Sequence, residues 1–453
     1  VKTLVIGTGG REHALALALA RDPAVTEVHA APGNPGIAAV ATLHPVDPMA
    51  GEAVADLAER LGVDLVVVGP EAPLVAGVAD AVTARGIACF GPGREAARLE
   101  GSKAFSKEVM AAAGVPTARS RACTTPEEAA AALDAFGAPY VVKDDALAAG
   151  KGVVVTRDRV EALTHAAACG RVVVEEFLDG PEVSLFAVCD GTTAHPLQPA
   201  QDFKRIFDGG LGPNTGGMGS YSPLPWAPAD LAATVMAQVV QPTLDEMARR
   251  GTPYRGCLYV GLALTADGPR VIEFNCRFGD PDVQPVLALL DSGLGALLLA
   301  AARGELAQVA PPRFRAGAAV SVVMASAGYP ESSSTGDPIV GVETLDDDPD
   351  VDVVHAGTAR RVNEAGADEL VTAGGRVLAV RAVGASVADA RAKAFEGIAA
   401  ISFPGAQWRR DIAAEPLGVV EGAAALAPAP TDPPSAAPAA PSAAPAGDQQ
   451  ENR

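Results

Sequence analysis

A chain of 453 residues is longer than one hydrophobic core sustains, so two to four domains are expected. Its formal net charge of −20 argues against a generally basic nucleic-acid-binding surface but leaves room for a local cationic cleft. Six cysteines without a CxxC pair indicate neither a disulfide framework nor a structural zinc site, and small buried hydrophobes are the simpler reading.

Residues 1–100 alternate short apolar strands with helical patterns: VKTLVIG, REHALALALARD, EVHAAPG, EAVADLAERLG, DLVVVGP, VAGVADAVTARG and IACFGP. That alternation predicts an α/β fold with a Rossmann-like, doubly wound parallel sheet, its loops GTGGREH, APGNPG and GPEAPL at strand ends where ligands bind. The first residues read as a strand entering a turn rather than a signal peptide. No segment reads as a membrane span, since LALLDSGLGALLLAAA is broken by Asp291 and Gly293. A cytoplasmic location follows as the expectation, with neither membrane nor nucleic acid as partner. Residues 101–312 read as a second unit, with a smaller subdomain at about 117–187, a polar glycine-rich stretch at 201–222, a strand pair CLYVGLAL and RVIEFNC, and an apolar helix ending near 305. Residues 313–417 read as a separate, small α+β unit, and residues 418–453 as an Ala/Pro-rich disordered tail too poor in large apolar groups to order itself.

The densest chemistry lies in VIEFNCRFGDP, residues 271–281. Strand alternation predicts Val271, Glu273, Asn275 and Arg277 on one face and Ile272, Phe274 and Cys276 on the other. A carboxylate and an amide oxygen two residues apart suit a hard cation such as Mg2+, and the guanidinium suits a phosphoryl or carboxylate group.

Four further segments carry candidate chemistry. GTGGREHA follows a strand and opens a helix, so free backbone N–H groups around Gly9 and Gly10 can hold an anion, although a tight turn alone also calls for glycine. It lacks the third glycine and the acidic residue of a dinucleotide fingerprint. In YVVKDDALAAGKGV, Lys143 ends a strand beside Gly150, Lys151 and Gly152, an arrangement able to grip phosphates but equally a plain surface hairpin. VVVEEFLDGPEVS places Glu175, Glu176, Phe177 and Leu178 at a strand end, with Glu182 beyond; taken alone, a solvated acidic strand end explains it better than a base and ribose site. QDFKRIFDGGLGPNTGGMGSYSP joins two ordered-looking elements and surrounds Lys204 and Arg205 with backbone donors, which favours an anionic substrate over a linker. Of the histidines only His13 lies in a ligand loop; the other five read as ordinary surface or core residues.

In this order GTGGREHALA, GPEAPL, EGSKAF, VVKDDALAAGKGV, EEFLDGPEVS, QDFKR, GPNTGGMGSYSP and IEFNCRFGDP resemble the phosphoribosylamine:glycine ligase family of the ATP-grasp superfamily, over residues 1 to about 417. The resemblance implies a pre-ATP-grasp sheet, a central two-part ATP-grasp α+β domain, and ATP-dependent ligation of glycine to 5-phosphoribosylamine through glycyl phosphate in purine biosynthesis. It assigns ATP to Lys103, Lys143, Gly150, Lys151, Gly152, Glu175, Glu176, Phe177, Leu178 and Glu182, and Mg2+ or Mn2+ to Glu273 and Asn275. Arg277, Asp202 and Lys204 take catalytic roles. Glycine and 5-phosphoribosylamine fall to Gly9, Gly10, Arg11, His13, Pro70, Glu71, Asn214, Thr215, Gly216, Gly217, Met218, Gly219, Asp280 and Pro281. A monomer is expected.

Three departures from the family pattern stand out. Asp144-Asp145-Ala146 replaces the usual Ala-Asp-Gly, the chain between the lysine loop and EEFL is short, and CLYVGLAL carries no acid where many ATP-grasp enzymes place a metal carboxylate. The competing readings are another ATP-grasp carboxylate–amine ligase and a non-catalytic nucleotide-binding regulator.

Overall fold

The computed structural model describes residues 1–147 and 152–414. Gly150, Lys151 and the tail expected from residue 418 onward lie outside the described residues. The first unit holds five parallel strands in the order Thr42–Leu43, Glu27–Pro32, Lys2–Gly7, Leu65–Val68 and Ala88–Phe90. Strands such as LVVV are buried along their whole length, as expected of a parallel sheet covered by helices on both faces. The order reverses beside Lys2–Gly7, so the loops after that strand and after Leu65–Val68 open at the switch point.

The second unit is built on two antiparallel sheets. The smaller runs Ser120–Cys123, Val172–Glu175, Tyr140–Asp144, Val153–Thr156 and is backed by the helices Pro126–Phe136 and Arg159–Cys169 around its own core of Cys123, Leu133, Val142 and Val174. The larger runs Ala194–Pro196, Glu182–Asp190, Arg255–Thr265, Gly268–Asn275. Its core is continuous with those of the flanking units, since Leu4, Val66, Leu258, Phe274, Val320 and Ile398 belong to one buried cluster. The segment from 313 is less separate than its sequence indicates. Its sheet runs Gln201–Asp202, Gly219–Ser222, Ala318–Ala325, Arg376–Gly384, Val351–His355 and so takes in two strands from before residue 313. Among the described residues no helix is long and apolar enough to cross a membrane.

His13, expected to meet substrate, instead lies in the seam between the first unit and the C-terminal sheet. It is 4 % exposed, and its Nδ1 accepts from the backbone N–H of His355 at 2.7 Å. Nearby, Arg21 and Arg381 both grip Asp352, and Asn34 Nδ2 donates to the His355 carbonyl at 3.0 Å. Burial first, and then the neighbouring His355 and Arg381, hold His13 neutral with a pKa lowered to about 3; burial likewise lowers His355 to about 4. Both values lie below the ordinary 6.5, so the unfolded chain takes up these protons first as pH falls. The seam's contribution is therefore complete above pH 6.5 and is lost below it, at up to about 1.4 kcal/mol per histidine per pH unit. Thermal unfolding followed from about pH 7 to 4.5 is expected to show a falling midpoint, and His13→Asn, which keeps an acceptor without a titrating ring, to show a shallower fall.

Candidate active site

The three units enclose a cleft of about 590 Å³. Its wall is laid down by strand ends and by the turns that follow them, where side chains project from rigid backbone. One part is an apolar slot made by Leu99, Met110, Val141, Val153, Val155, Phe177, Leu178 and Ile272. At its floor Lys143 is 4 % exposed, pairs with Glu175 Oε2 at 3.1 Å and donates to the Ile272 carbonyl at 2.9 Å. Lys107 meets the same Glu175 oxygen at 3.2 Å and donates to Thr117 Oγ1 at 2.8 Å. Burial lowers the Lys107 pKa to about 8 despite the Glu175 charge. The other Glu175 oxygen, Oε1, is buried without a hydrogen-bond partner on the protein.

Lys103 opens the helix Lys103–Ala113, which Ser102 caps by accepting from the Phe105 N–H at 3.2 Å. Asp145 Oδ1 accepts from Ser102 Oγ at 3.1 Å and from the Ala104 N–H at 2.9 Å, while Lys103 Nζ donates to the Ala146 carbonyl at 3.2 Å. Asp145 and the Ala146 carbonyl therefore tie the lysine strand to the start of that helix.

On the far side of the slot the strand Gly268–Asn275 does not alternate as expected. Gly261 pairs with Glu273 but Leu262 with Val271, so Ile272 is an extra residue in a β-bulge. The bulge puts Val271 in the core, fully buried, and brings Ile272 to the cleft beside Glu273, Asn275 and Arg277. Burial opposes ionisation of Glu273, but Lys204, Lys143, Lys103 and Arg277 outweigh it and hold its carboxyl below the ordinary value. Arg277 lies between Glu100 at 3.0 Å and Glu71 at 3.3 Å. Burial works against its charge, and the two carboxylates more than restore it, raising its pKa. Glu100, whose pKa burial raises, also accepts from the Cys276 N–H at 2.7 Å.

The third part of the wall holds Asp202, Lys204, Asn214, Thr215, Gly216 and Asp280, with Gly9, Arg11, Pro70 and Glu71 at its rim. Lys204 pairs with Glu182, and burial, which would lower its pKa, is overcome by Asp202 and Glu182 so that the pKa rises. Thr215 fastens its loop by donating to the Lys204 carbonyl from both N at 2.7 Å and Oγ1 at 2.8 Å.

Several expected contacts are displaced. The Gly9 N–H, read as free for an anion, donates to Glu12 Oε2 at 2.6 Å, because Glu12 folds back over its own helix start. Glu176 lines the cleft, yet its carboxylate is engaged by Arg119 at 2.6 Å and Arg270 at 3.1 Å. Gly10, Gly217, Met218, Gly219 and Pro281 are not among the lining residues; Met218 is fully buried in the core and Pro281 fills the space beside Gly217. Sequence reasoning missed Lys107, Glu100, Glu12 and Arg376. Lys107 had a usable signal, since it follows Lys103 at the i, i+4 spacing that puts both on one helix face.

Family models for phosphoribosylglycinamide synthetase match residues 1–100 (N domain), 101–283 (ATP-grasp domain) and 319–415 (C domain). The chain belongs to the phosphoribosylglycinamide synthetase family. It is 62 % identical over 420 residues to phosphoribosylamine–glycine ligase of Streptomyces coelicolor, covering 92 % of this chain and 100 % of that one. The crystal structure of phosphoribosylamine–glycine ligase from Thermotoga maritima matches with a TM-score of 0.78 and 34 % identity, over 91 % of this chain and 100 % of that chain. At 18 % identity, the biotin carboxylase domain of Hydrogenobacter thermophilus 2-oxoglutarate carboxylase, solved with MgADP, shares the fold alone, with a TM-score of 0.67 over 90 % of this chain and 91 % of that one.

The buried Lys143–Glu175–Lys107 cluster gives a test independent of turnover. Glu175→Gln leaves two buried ammonium groups without their shared counter-charge, which is expected to destabilise the fold by about 3 kcal/mol. Urea unfolding monitored by circular dichroism reads this directly, and an unchanged midpoint would contradict the pairing.

Proposed function

We propose that this chain joins glycine to 5-phosphoribosylamine at the expense of ATP, through a glycyl phosphate, giving glycinamide ribonucleotide, ADP and phosphate. The observation that carries the reading is that one cleft joins an apolar slot with buried lysines to a carboxylate–amide–guanidinium strand and then to a polar loop. A nucleotide, a phosphoryl group in transfer and a small amino acid require those three surroundings in that sequence.

ATP fits the slot. The apolar walls suit a purine, and the orphaned Glu175 Oε1 suits the exocyclic amino donor of adenine. Lys103 and Lys143 take phosphate oxygens, and the assignment extends to Lys151 with Gly150 and Gly152 over them. Glu176, Phe177 and Leu178 border the base, and Glu182 the ribose. Oxygen donors on Glu273 and Asn275 suit Mg2+ or Mn2+, and no larger group of His, Cys, Asp or Glu able to hold a metal occurs among the described residues. A bound divalent ion supplies charge neutralisation at the transferring phosphate.

The chain's own groups do the rest. A free carboxylate is a poor electrophile because its leaving group would be oxide. Attack of a glycine carboxylate oxygen on the terminal phosphorus releases ADP and makes an acyl phosphate. The amine nitrogen then attacks the acyl carbon, phosphate leaves, and the amine gives up a proton as the amide forms. Arg277, kept protonated by Glu100 and Glu71, offsets charge on the phosphoryl oxygens. Lys204 and Asp202 face the acyl group, with Asn214, Thr215, Gly216 and Asp280 holding glycine and the amine in attack geometry. Arg11, Gly9, Pro70 and Glu71 border the ribosyl phosphate.

Glu273→Ala removes the ionised carboxylate without touching the core and is expected to lower glycine-dependent ADP release by about 10³-fold in a chain that still folds, with a lowered thermal midpoint because Lys204, Lys143, Lys103 and Arg277 lose a counter-charge. ADP formation by the native chain that requires another carboxylic acid would overturn the substrate assignment. Nucleotide binding without any turnover would instead mark a regulator.

A further inference from the structure

One side chain at the cleft wall comes from the C-terminal sheet and has no part in the assignments above. Arg376 begins the strand Arg376–Gly384, and its guanidinium lies where the glycine-rich loop meets the Asp280 turn. Its Nη1 donates to the carbonyls of Gly216 at 2.6 Å and Asp280 at 2.6 Å, and its Nη2 to Asp280 Oδ2 at 3.0 Å. The second Asp280 oxygen, Oδ1, accepts from Gln284 Nε2 at 2.8 Å. Tyr329, also from the C-terminal unit, accepts from the Gly216 N–H at 2.9 Å. Both polar groups of Gly216, and both oxygens of Asp280, are thus oriented by side chains rather than by regular secondary structure.

The glycines match this arrangement. A Cβ on Gly216 would stand 2.8 Å from the guanidinium carbon, although the φ of Gly216 is not positive, so space rather than backbone conformation requires glycine there. A Cβ on Gly375 would stand 2.3 Å from the Tyr329 ring. The planar fork of Arg376 reaches several oxygens at once, which a lysine ammonium on a flexible stem does not reproduce.

We infer that Arg376 is a positioning residue for the acceptor end of the cleft, setting the Asn214–Gly216 loop against Asp280 so that glycine and 5-phosphoribosylamine meet a preformed surface. This rests on the functional reading above. The C-terminal unit then contributes to acceptor recognition without touching the nucleotide slot, whose named groups come from other strands. A staple with a purely structural role makes a different demand, because loosening it weakens all substrates together.

The experiment is steady-state kinetics of the full chain carrying Arg376→Ala or Arg376→Lys. For Arg376→Ala the KM for glycine or 5-phosphoribosylamine is expected to rise roughly tenfold or more while the KM for ATP stays within about twofold, with partial rescue by millimolar guanidinium ion. Arg376→Lys is expected to fall between, since it keeps the charge facing Asp280 but loses the fork. Tyr329→Phe, which removes one hydrogen bond and no charge, is expected to shift the same acceptor KM by a smaller factor and covers the case in which Arg376→Ala does not fold. Unchanged acceptor KM values, or acceptor and ATP KM values rising together without rescue, would overturn the inference while leaving the functional reading intact. A native chain that forms no ADP with glycine and 5-phosphoribosylamine would instead fail that reading, and this inference with it.

Discussion

The partly buried triad of Arg277, Glu100 and Glu71 is the constraint on which the site is arranged. A guanidinium removed from water costs several kcal/mol unless its charge and donors are met. Here the helix Glu71–Ala76, which follows the strand Leu65–Val68, supplies Glu71, and the helix Arg98–Gly101 supplies Glu100. Glu100 also accepts the Cys276 N–H, so one carboxylate fixes both the side chain and the backbone of the strand end. With that end fastened to the parallel sheet, Glu273 and Asn275 can face the cleft only as they do.

Within an acidic chain the cleft gathers cations and the carboxylates that hold them. A chain with a net charge of −20 presents a repulsive exterior to polyanions, yet Lys103, Lys107, Lys143, Lys204, Arg11 and Arg277 converge on one concavity. Folding without a bound anion would leave those cations repelling one another, and the internal carboxylates Glu175, Glu182, Glu100 and Glu71 relieve that repulsion. They do so unequally: Lys107 and Lys143 share a single oxygen of Glu175, so two ammonium groups rest on one carboxylate at the floor of the slot.

Most of the parallel sheet was legible because its signal is local: four of the five strands of residues 1–100 carry their own buried run and a following glycine or proline turn, whereas the two-residue edge strand Thr42–Leu43 has no buried residue and left no such signal. Most of the expected cleft residues were legible for a related reason, since they sit at strand ends and in turns where polar residues interrupt apolar runs. What local pattern does not encode is register and long-range burial. The bulge at Ile272 arises from pairing against Gly261, a residue on another strand, and only that pairing reverses the face of Val271. His13 follows Gly9 and Arg11, which line the cleft, but its own partner His355 is 342 positions away. The Gly9 N–H is committed to a side chain three residues on, since Glu12 stands at the third helical position from which a carboxylate reaches back to the cap N–H.

Glycine-rich loops are usually read as surfaces of exposed backbone donors, and the 212–219 segment invited that reading. Its glycines have a different physical basis. A Cβ on Gly217 would stand 2.4 Å from the Pro281 ring, at a position whose φ of +111° also favours glycine, and one on Gly216 would meet Arg376. Small residues here make room for neighbours from two other segments, and those neighbours hold the loop in one shape. The loop's form is thus a tertiary property written into its sequence as missing side chains. Loop order then needs the C-terminal sheet in place, which accounts for that sheet pairing with Gly219–Ser222 directly after the loop. A site assembled across three units in this way gains its precision from packing, and the glycines mark the places where the packing is closest.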